Sequence, residues 1–422
     1  MTGRGRKHRS DRTGGRHDLP PEPVRWLRWP GIGDALSVRR ADPVIDSLGR
    51  ITRGWQPEPA EATSTPLSKL SGRRDGYRVD SRWLDAPLDA LTATAAACAL
   101  IADLSQAYAA DRPDHLCLHT GAVGFAGRLI ALTGAARAGK STLVARLSAE
   151  ADMTIFCDDV LPVDPDGRGI ALGFAPRLRL PVPDASTAAH RRHVATHQSL
   201  EDGRYGYLMT PTLAPHGTRS PLTVILQLAR GAAGAPAGLQ ALSGAETLKL
   251  IRDQDMSAPD EAAEIPDYLG RLSALAAQVA GYRLLYDDIE DAVALIRRSF
   301  GGAGLPDIAP PDALPEPDGV SASGPLQPAD IAQVWSRMPG VTVRRIGGQA
   351  CLWGIDGGGV FVLNALAAAI WQALEHPVSG LDLADALAEA FPDAAPEQIA
   401  LDLGQLFAHL EAEGLVRAPP WP

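Results

Sequence analysis

The stretch that most constrains this chain is Gly134-Ala-Ala-Arg-Ala-Gly-Lys-Ser-Thr142. It lies between an apolar run, Arg128-Leu-Ile-Ala-Leu-Thr133, and a helix-like segment, Leu143-Val-Ala-Arg-Leu-Ser148. A strand, G-x-x-x-x-G-K-S-T and a helix, in that order, form the Walker A pattern in the context it requires. Gly134 and Gly139 let the backbone turn tightly and come close to phosphate oxygens. Ala135, Ala136, Arg137 and Ala138 fill the variable positions. The loop N–H groups, with the helix N-terminus behind them, make an anion cradle. Lys140 is placed to reach the β- and γ-phosphates, Ser141 to ligate Mg²⁺, and Thr142 completes the motif. The expected cofactors are therefore ATP and Mg²⁺. The bland alternative is a glycine-rich turn with no ligand.

Further along, Thr154-Ile-Phe-Cys157 is a short apolar run ending in Asp158-Asp159. An apolar strand that ends in carboxylate, one helix after the loop, is the Walker B arrangement. Asp158 and Asp159 could divide two tasks, holding Mg²⁺ and accepting a proton, or could be turn residues. Pro176-Arg-Leu-Arg-Leu-Pro181 alternates, so Arg177 and Arg179 face one side of a strand, toward an acidic ligand or toward solvent. His190, His193 and His197 share one helical face, but no carboxylate or cysteine at matching spacing completes a metal site. A basic helix is the simpler reading, followed by a loop from His197 to Ser220.

Length and composition bound the rest. At 422 residues, two or three domains are expected. No apolar run approaches the roughly 20 residues needed to span a bilayer, and no signal-peptide core opens the chain. Cys98, Cys117, Cys157 and Cys351 are scattered, which fits a reducing cytoplasm better than a disulfide framework. The formal net charge of −10 argues against general nucleic-acid binding.

The pattern divides the chain into five parts. Residues 1–23 are a basic, disordered tail. Residues 24–115 are a β-rich cover, with tryptophans as packing residues, followed by a helix over Leu88–Ala110. Residues 116–300 carry the loop, with apolar strands separated by helices: an α/β nucleotide-binding core. Residues 301–327, dense in Pro, Gly, Ser and Asp, are a linker. Residues 328–422 read as three short strands, then three helices: a winged-helix-like α+β module. It carries no catalytic cluster, and its few basic residues argue against reading DNA.

Two family resemblances sharpen this. The span from Leu116 to about Pro183 resembles the HPr kinase/phosphorylase family and its relatives. The likeness rests on Leu118-His119-x-x-Ala-Val, the turn, the glycine-rich loop, and Asp158-Asp159 one helix later. It implies transfer of a phosphoryl group from ATP to a serine hydroxyl. Lys140 would stabilise the transferring phosphate, and Ser141 would bind Mg²⁺. Either Asp158 or Asp159 would act as base while the other assists at the metal. His119 would sit near the phosphates, and Arg219 would stand for a later phosphate-contacting arginine. The founding family's E-x-R-G-x-G signature is not visible, so a second metal carboxylate is unassigned. Such kinases are commonly hexameric, and nothing here requires or forbids a homo-oligomer.

The last module is similar to PqqD, a small precursor-peptide chaperone. Val362-Leu-Asn-x-x-Ala-x-x-Ile370-Trp371 and Leu406-x-x-x-Leu-x-x-x-Gly-Leu-Val416 carry that likeness. It implies that a leader peptide of a precursor or carrier peptide adds as a strand, main-chain bonds giving affinity and side-chain pockets giving register. Together the resemblances imply a serine kinase in ribosomal-peptide maturation. A nucleotide-gated peptide chaperone and a metabolite kinase with a regulatory module are the alternatives.

Overall fold

A computed structural model describes residues 23–135, 138–182, 186–231, 233–257, 264–308, 326–346, 349–353, 360–363, 365–392 and 394–418. The basic tail, most of the Pro/Gly-rich linker, and Ala136 and Arg137 of the loop lie outside them. Among the described residues, no helix is long and apolar enough to cross a membrane.

The expected β-rich cover is a six-stranded sheet. Its order is Glu58–Pro59, Arg25–Arg28, Leu36–Arg39, Ser68–Arg73, Gly76–Ser81 and Leu88–Leu91. The helix expected from Leu88 begins later, at Ala93, and runs to Ala110. Leu88–Leu91 is instead taken by the sheet edge, and Thr92 caps the helix by accepting the Ala95 N–H at 3.1 Å. Trp29 and Trp55 are buried in the core beneath, as packing residues.

A nine-stranded sheet forms the middle of the molecule. Gly121–Phe125 and Arg128–Thr133 make a hairpin across Ala126-Gly127. Both turn residues have positive φ, 49° and 77°, as a two-residue hairpin turn of matching twist requires. Met153–Cys157 pairs antiparallel with Gly121–Phe125 and so runs in the same direction as Arg128–Thr133. The long strand Arg219–Arg230 pairs in parallel with Arg128–Thr133 on one side and with Ala280–Tyr286 on the other. Four strands therefore end at one edge of the sheet, at Thr133, Cys157, Arg230 and Tyr286. In open α/β sheets, that carboxyl edge is where ligands bind.

Helices cover both faces. Lys140–Leu147 and Ile289–Phe300 bury Leu143, Val144, Leu147, Val293 and Ile296 in the same apolar cluster as the N-terminal cover. Gly244–Gln254 and Ile265–Gln278 bury Leu248, Ile251, Leu269 and Leu272 on the opposite face. The segment expected to be a loop, His197 to Ser220, contains strands Gln198–Glu201 and Tyr205–Leu208. With Arg177–Arg179 they make a small sheet. Gln198–Glu201 and Tyr205–Leu208 are only four residues each, too short for a clear apolar alternation.

The last region has the expected three strands, Thr342–Ile346, Gln349–Trp353 and Val360–Leu363, in that order. Helices Ala365–Ala373, Gly380–Ala390 and Pro396–Ala412 follow. A further strand, Val334–Arg337, precedes them and pairs with Val378–Ser379 and Val416–Arg417. Trp335 from this strand stacks on Phe407 at 4.7 Å between ring centroids, in a core with Leu352, Leu363, Ile370 and Leu403. Phe391, at the C-terminal end of Gly380–Ala390, is 48% exposed. The three-stranded sheet contacts Gly244–Gln254 and Ile265–Gln278 of the central region.

Candidate functional site

The loop after Thr133 sits at the carboxyl edge of the sheet, and its glycines are required by geometry. Gly139 has φ +103°, and a Cβ there would lie 2.7 Å from the Tyr286 hydroxyl. Gly134 has φ +146°, and its Cβ would lie 2.9 Å from the Leu228 carbonyl oxygen. Tyr286, at the end of its own strand, donates to the Ala138 carbonyl at 3.0 Å and so clamps the loop from the side. The helix begins at Lys140 with Gly139 as its cap and no side chain accepting from its first N–H groups. Those N–H groups, with the helix dipole, are the donor set an anion needs. Lys140 Nζ rests on the Gly134 carbonyl at 2.8 Å. Burial lowers its pKa, and the charge of Asp159 opposes that shift. A partly desolvated ammonium at the mouth of a backbone cradle fits a polyphosphate. Ser141 and Thr142, in the first helical turn, occupy the positions that fit a metal-bound phosphate.

Asp158 and Asp159 leave the Met153–Cys157 strand at the same edge. Their surroundings differ. Asp158 is half-buried, and its Oδ2 accepts the Arg177 main-chain N–H at 2.8 Å. Burial, then the neighbouring Asp159 charge, push its pKa up to about 7. Asp159 is 66% exposed at its side chain, and its Oδ1 lies 3.1 Å from His119 Nε2. The His119 bond holds Asp159 below the usual carboxylate range. Two adjacent carboxyls whose environments push their ionisation apart are suited to two different tasks.

His119 ends the strand Leu116–His119, opposite Val160. The next residue fixes that strand end to its neighbours. Thr120 N–H donates to the Asp159 carbonyl at 2.9 Å, and Thr120 Oγ1 donates to the Leu132 carbonyl at 2.8 Å. His119, Asp159 and the strand that feeds the loop are thus tied through one buried threonine. Of the expected site residues, Gly134, Ala135, Ala138, Gly139, Lys140, Ser141, Thr142, His119, Asp158 and Asp159 share this edge. Ala136 and Arg137 are outside the described residues.

Arg219 does not belong to the cluster. It begins the strand Arg219–Arg230, whose register sets Gln227, not Arg219, beside Thr133. Because that strand is parallel to Arg128–Thr133, its start lies at the far edge of the sheet. There Arg219 pairs with Asp164 at 3.2 Å. The histidine stripe is also elsewhere. His190 is buried, and neither of its ring nitrogens has a hydrogen-bond partner among the described residues. His193 contacts Ser148 Oγ at 3.0 Å, and with His197 it lines a cavity of about 540 Å³ at the far edge. Among the described residues, no group of three or more potential metal ligands is present.

Three contributors had little or no signal in the sequence. Tyr286 reads as an ordinary strand residue. Arg177 reads as one of two alternating arginines, and the sequence offers no reason to choose between them. Asp255 ends the helix Gly244–Gln254, and its Oδ1 accepts the Cys117 N–H at 2.8 Å, two residues before His119. It therefore pins that helix, which touches the C-terminal module, to the strand that carries His119.

That module can now be placed among known proteins. Residues 350–416 match the family model of PqqD, coenzyme PQQ synthesis protein D. The match covers the second and third strands and all three helices. The strand Val334–Arg337 lies before the matched residues, yet it completes the PqqD module's core through Trp335. No curated protein matches the chain.

Proposed function

We propose that this chain is an ATP- and Mg²⁺-dependent serine kinase, similar to HPr kinase, whose acceptor is a peptide or small protein held by the PqqD module. The observation that carries the reading is the meeting of the glycine-rich loop, Lys140, Asp158, Asp159 and His119 at one carboxyl edge of the sheet. A PqqD module on the same chain argues for a peptide acceptor, and so for a place in ribosomal-peptide maturation.

Bound MgATP would supply the phosphoryl group, held by Lys140, Ser141 and the loop N–H groups. Asp158 is suited to be the base. Its Oδ2 is engaged by the Arg177 N–H, which leaves Oδ1 to take the proton of an acceptor hydroxyl. A pKa near 7 makes it a base that is ionised yet still proton-seeking at neutral pH. Asp159, kept anionic by His119, is suited to the metal side. The PqqD module contributes position. An acceptor tethered to the same chain meets the site intramolecularly, at an effective concentration set by the geometry of the connection. Its third strand, Val360–Leu363, pairs on one side only, with Gln349–Trp353, among the described residues, which suits strand addition by a peptide.

The test is transfer of labelled γ-phosphate to a precursor peptide encoded beside this chain. Wild type should add one phosphate to the peptide, and Lys140→Ala and Asp158→Asn should add little or none in the same time. A peptide that binds in a nucleotide-dependent way but never gains mass would sink the kinase reading and favour a nucleotide-gated chaperone. Phosphate appearing on a small metabolite instead would point to a metabolite kinase with a regulatory module.

A further inference from the structure

One charged group at this edge has no role in the scheme above. Arg177 starts the strand Arg177–Arg179 and pairs with Tyr207 across the small sheet. Its main-chain N–H already serves Asp158. Its guanidinium is held in an unusual way. Nη1 donates to Cys98 Sγ at 2.8 Å, and Cζ lies 4.7 Å from the Tyr205 ring centroid. Among the described residues, no carboxylate forms an ion pair with it, although Asp158 and Asp159 are close enough for their charges to act on it. Beside it, Tyr207 is 2% exposed and interacts with the same Cys98 thiol.

A guanidinium has five N–H donors in a fixed fork that matches carboxylate and phosphate oxygens. When partly buried, it is normally paired with an anion, because leaving a desolvated charge uncompensated is costly. Thiol sulfur is a weak acceptor and does not neutralise the charge. Sulfur and an aromatic face therefore fix the orientation of Arg177 while most of its donors stay available next to Asp158.

We propose that Arg177 is an oxyanion-binding residue of this site, its guanidinium receiving either a phosphate oxygen of the nucleotide or a carboxylate of an acidic acceptor peptide. The proposal rests on the reading of the edge as a phosphoryl-transfer site. Arg177 takes the place expected for Arg219, which the sheet carries to the opposite edge.

The test uses the full chain as wild type, Arg177→Met and Arg177→Lys. Methionine keeps the main-chain N–H to Asp158 and the aliphatic bulk, and removes only the charged fork. One arm titrates MgATP by calorimetry. The other measures binding of fluorescein-labelled serine peptides, flanked by Asp, Ala or Lys, to MgADP-loaded protein. If the anion is on the nucleotide, Arg177→Met weakens MgATP by about ten-fold or more and leaves peptide preference unchanged. If it is on the acceptor, MgATP affinity is unchanged and the preference for Asp-flanked over Lys-flanked peptides disappears. Lysine should recover part of the loss in the same arm, since it keeps the charge without the fork. Should Arg177→Met not fold, Cys98→Ala removes the sulfur anchor from outside the strand and should give a smaller loss in that arm. Variants that match wild type in both arms overturn the proposal while leaving the kinase reading intact. A wild type that does not bind MgATP overturns both.

Discussion

The two edges of the nine-stranded sheet handle charge in opposite ways. At the far edge, Arg219 is neutralised by Asp164, and a cavity of about 540 Å³ is lined by Thr212, by His193, whose pKa is pushed down, and by Arg53, whose guanidinium donates to the Pro211 and Leu213 carbonyls. At the carboxyl edge, more of the charge is unsettled. Lys140 rests on a carbonyl, Asp158 is pushed toward neutrality, and Arg177 has sulfur for a partner. Folding alone would favour pairing or removing such groups. Their retention at one edge marks it as the working edge.

The largest expected effect comes from removing charge at the carboxyl edge. Lys140→Ala and Asp158→Asn should each lower kcat/KM for phosphoryl transfer by about 10²–10⁴-fold, with the thermal midpoint little changed. A residual rate within a factor of a few of wild type would remove these residues from the chemistry. Next comes the shape of the cradle. Gly139→Ala places a Cβ 2.7 Å from the Tyr286 hydroxyl at φ +103°. The left-handed backbone alone costs about 1–2 kcal/mol. MgATP affinity and the melting temperature should therefore fall together, and Tyr286→Phe in the same chain should return part of the affinity by removing the atom that the Cβ meets.

A smaller effect tests the uncharged state of His193 at the far edge. Burial, then His197, His190 and Arg146, push the His193 pKa from 6.5 down to about 4. A histidine whose folded pKa is depressed takes up its proton more readily unfolded. The stability it supports is present above 6.5 and is lost as pH falls from 6.5 to about 4. The urea midpoint should decline over that window, and His193→Gln should flatten the decline. A wild-type profile without slope there would contradict the assignment. The smallest effect is expected for Arg219→Ala. Its side chain is 55% exposed, so loss of the Asp164 pair should cost about 0–1 kcal/mol and leave phosphoryl transfer unchanged. A drop in transfer would return Arg219 to the site.

What could be read from the sequence followed how local the information was. The loop, its two required glycines and the adjacent aspartates are contiguous motifs set by one strand–helix unit, so their common location followed from the letters. The cover, the C-terminal strands and helices, and the buried tryptophans followed from apolar pattern. Strand direction did not. Pro221-Leu-Thr-Val-Ile-Leu-Gln-Leu228 announces a buried strand but not which end faces the loop, and Arg219 was misplaced for that reason. Arg177, Tyr286 and Asp255 reach the site only through long-range pairing, which no local spacing encodes. The early start assigned to the helix at Leu88 failed because a sheet edge recruited its first residues. The histidine stripe had the right period, but one helical face can look both inward and into a cavity, as His190 and His193 do.

Amide hydrogen exchange on the full chain, with and without MgATP, compares the two edges in one experiment. Binding of MgATP at the carboxyl edge should slow exchange in peptides covering 138–143 and 157–160 and leave those covering 148–154 and 211–218 unchanged. Slowing at the far edge, or none at the loop, would contradict it.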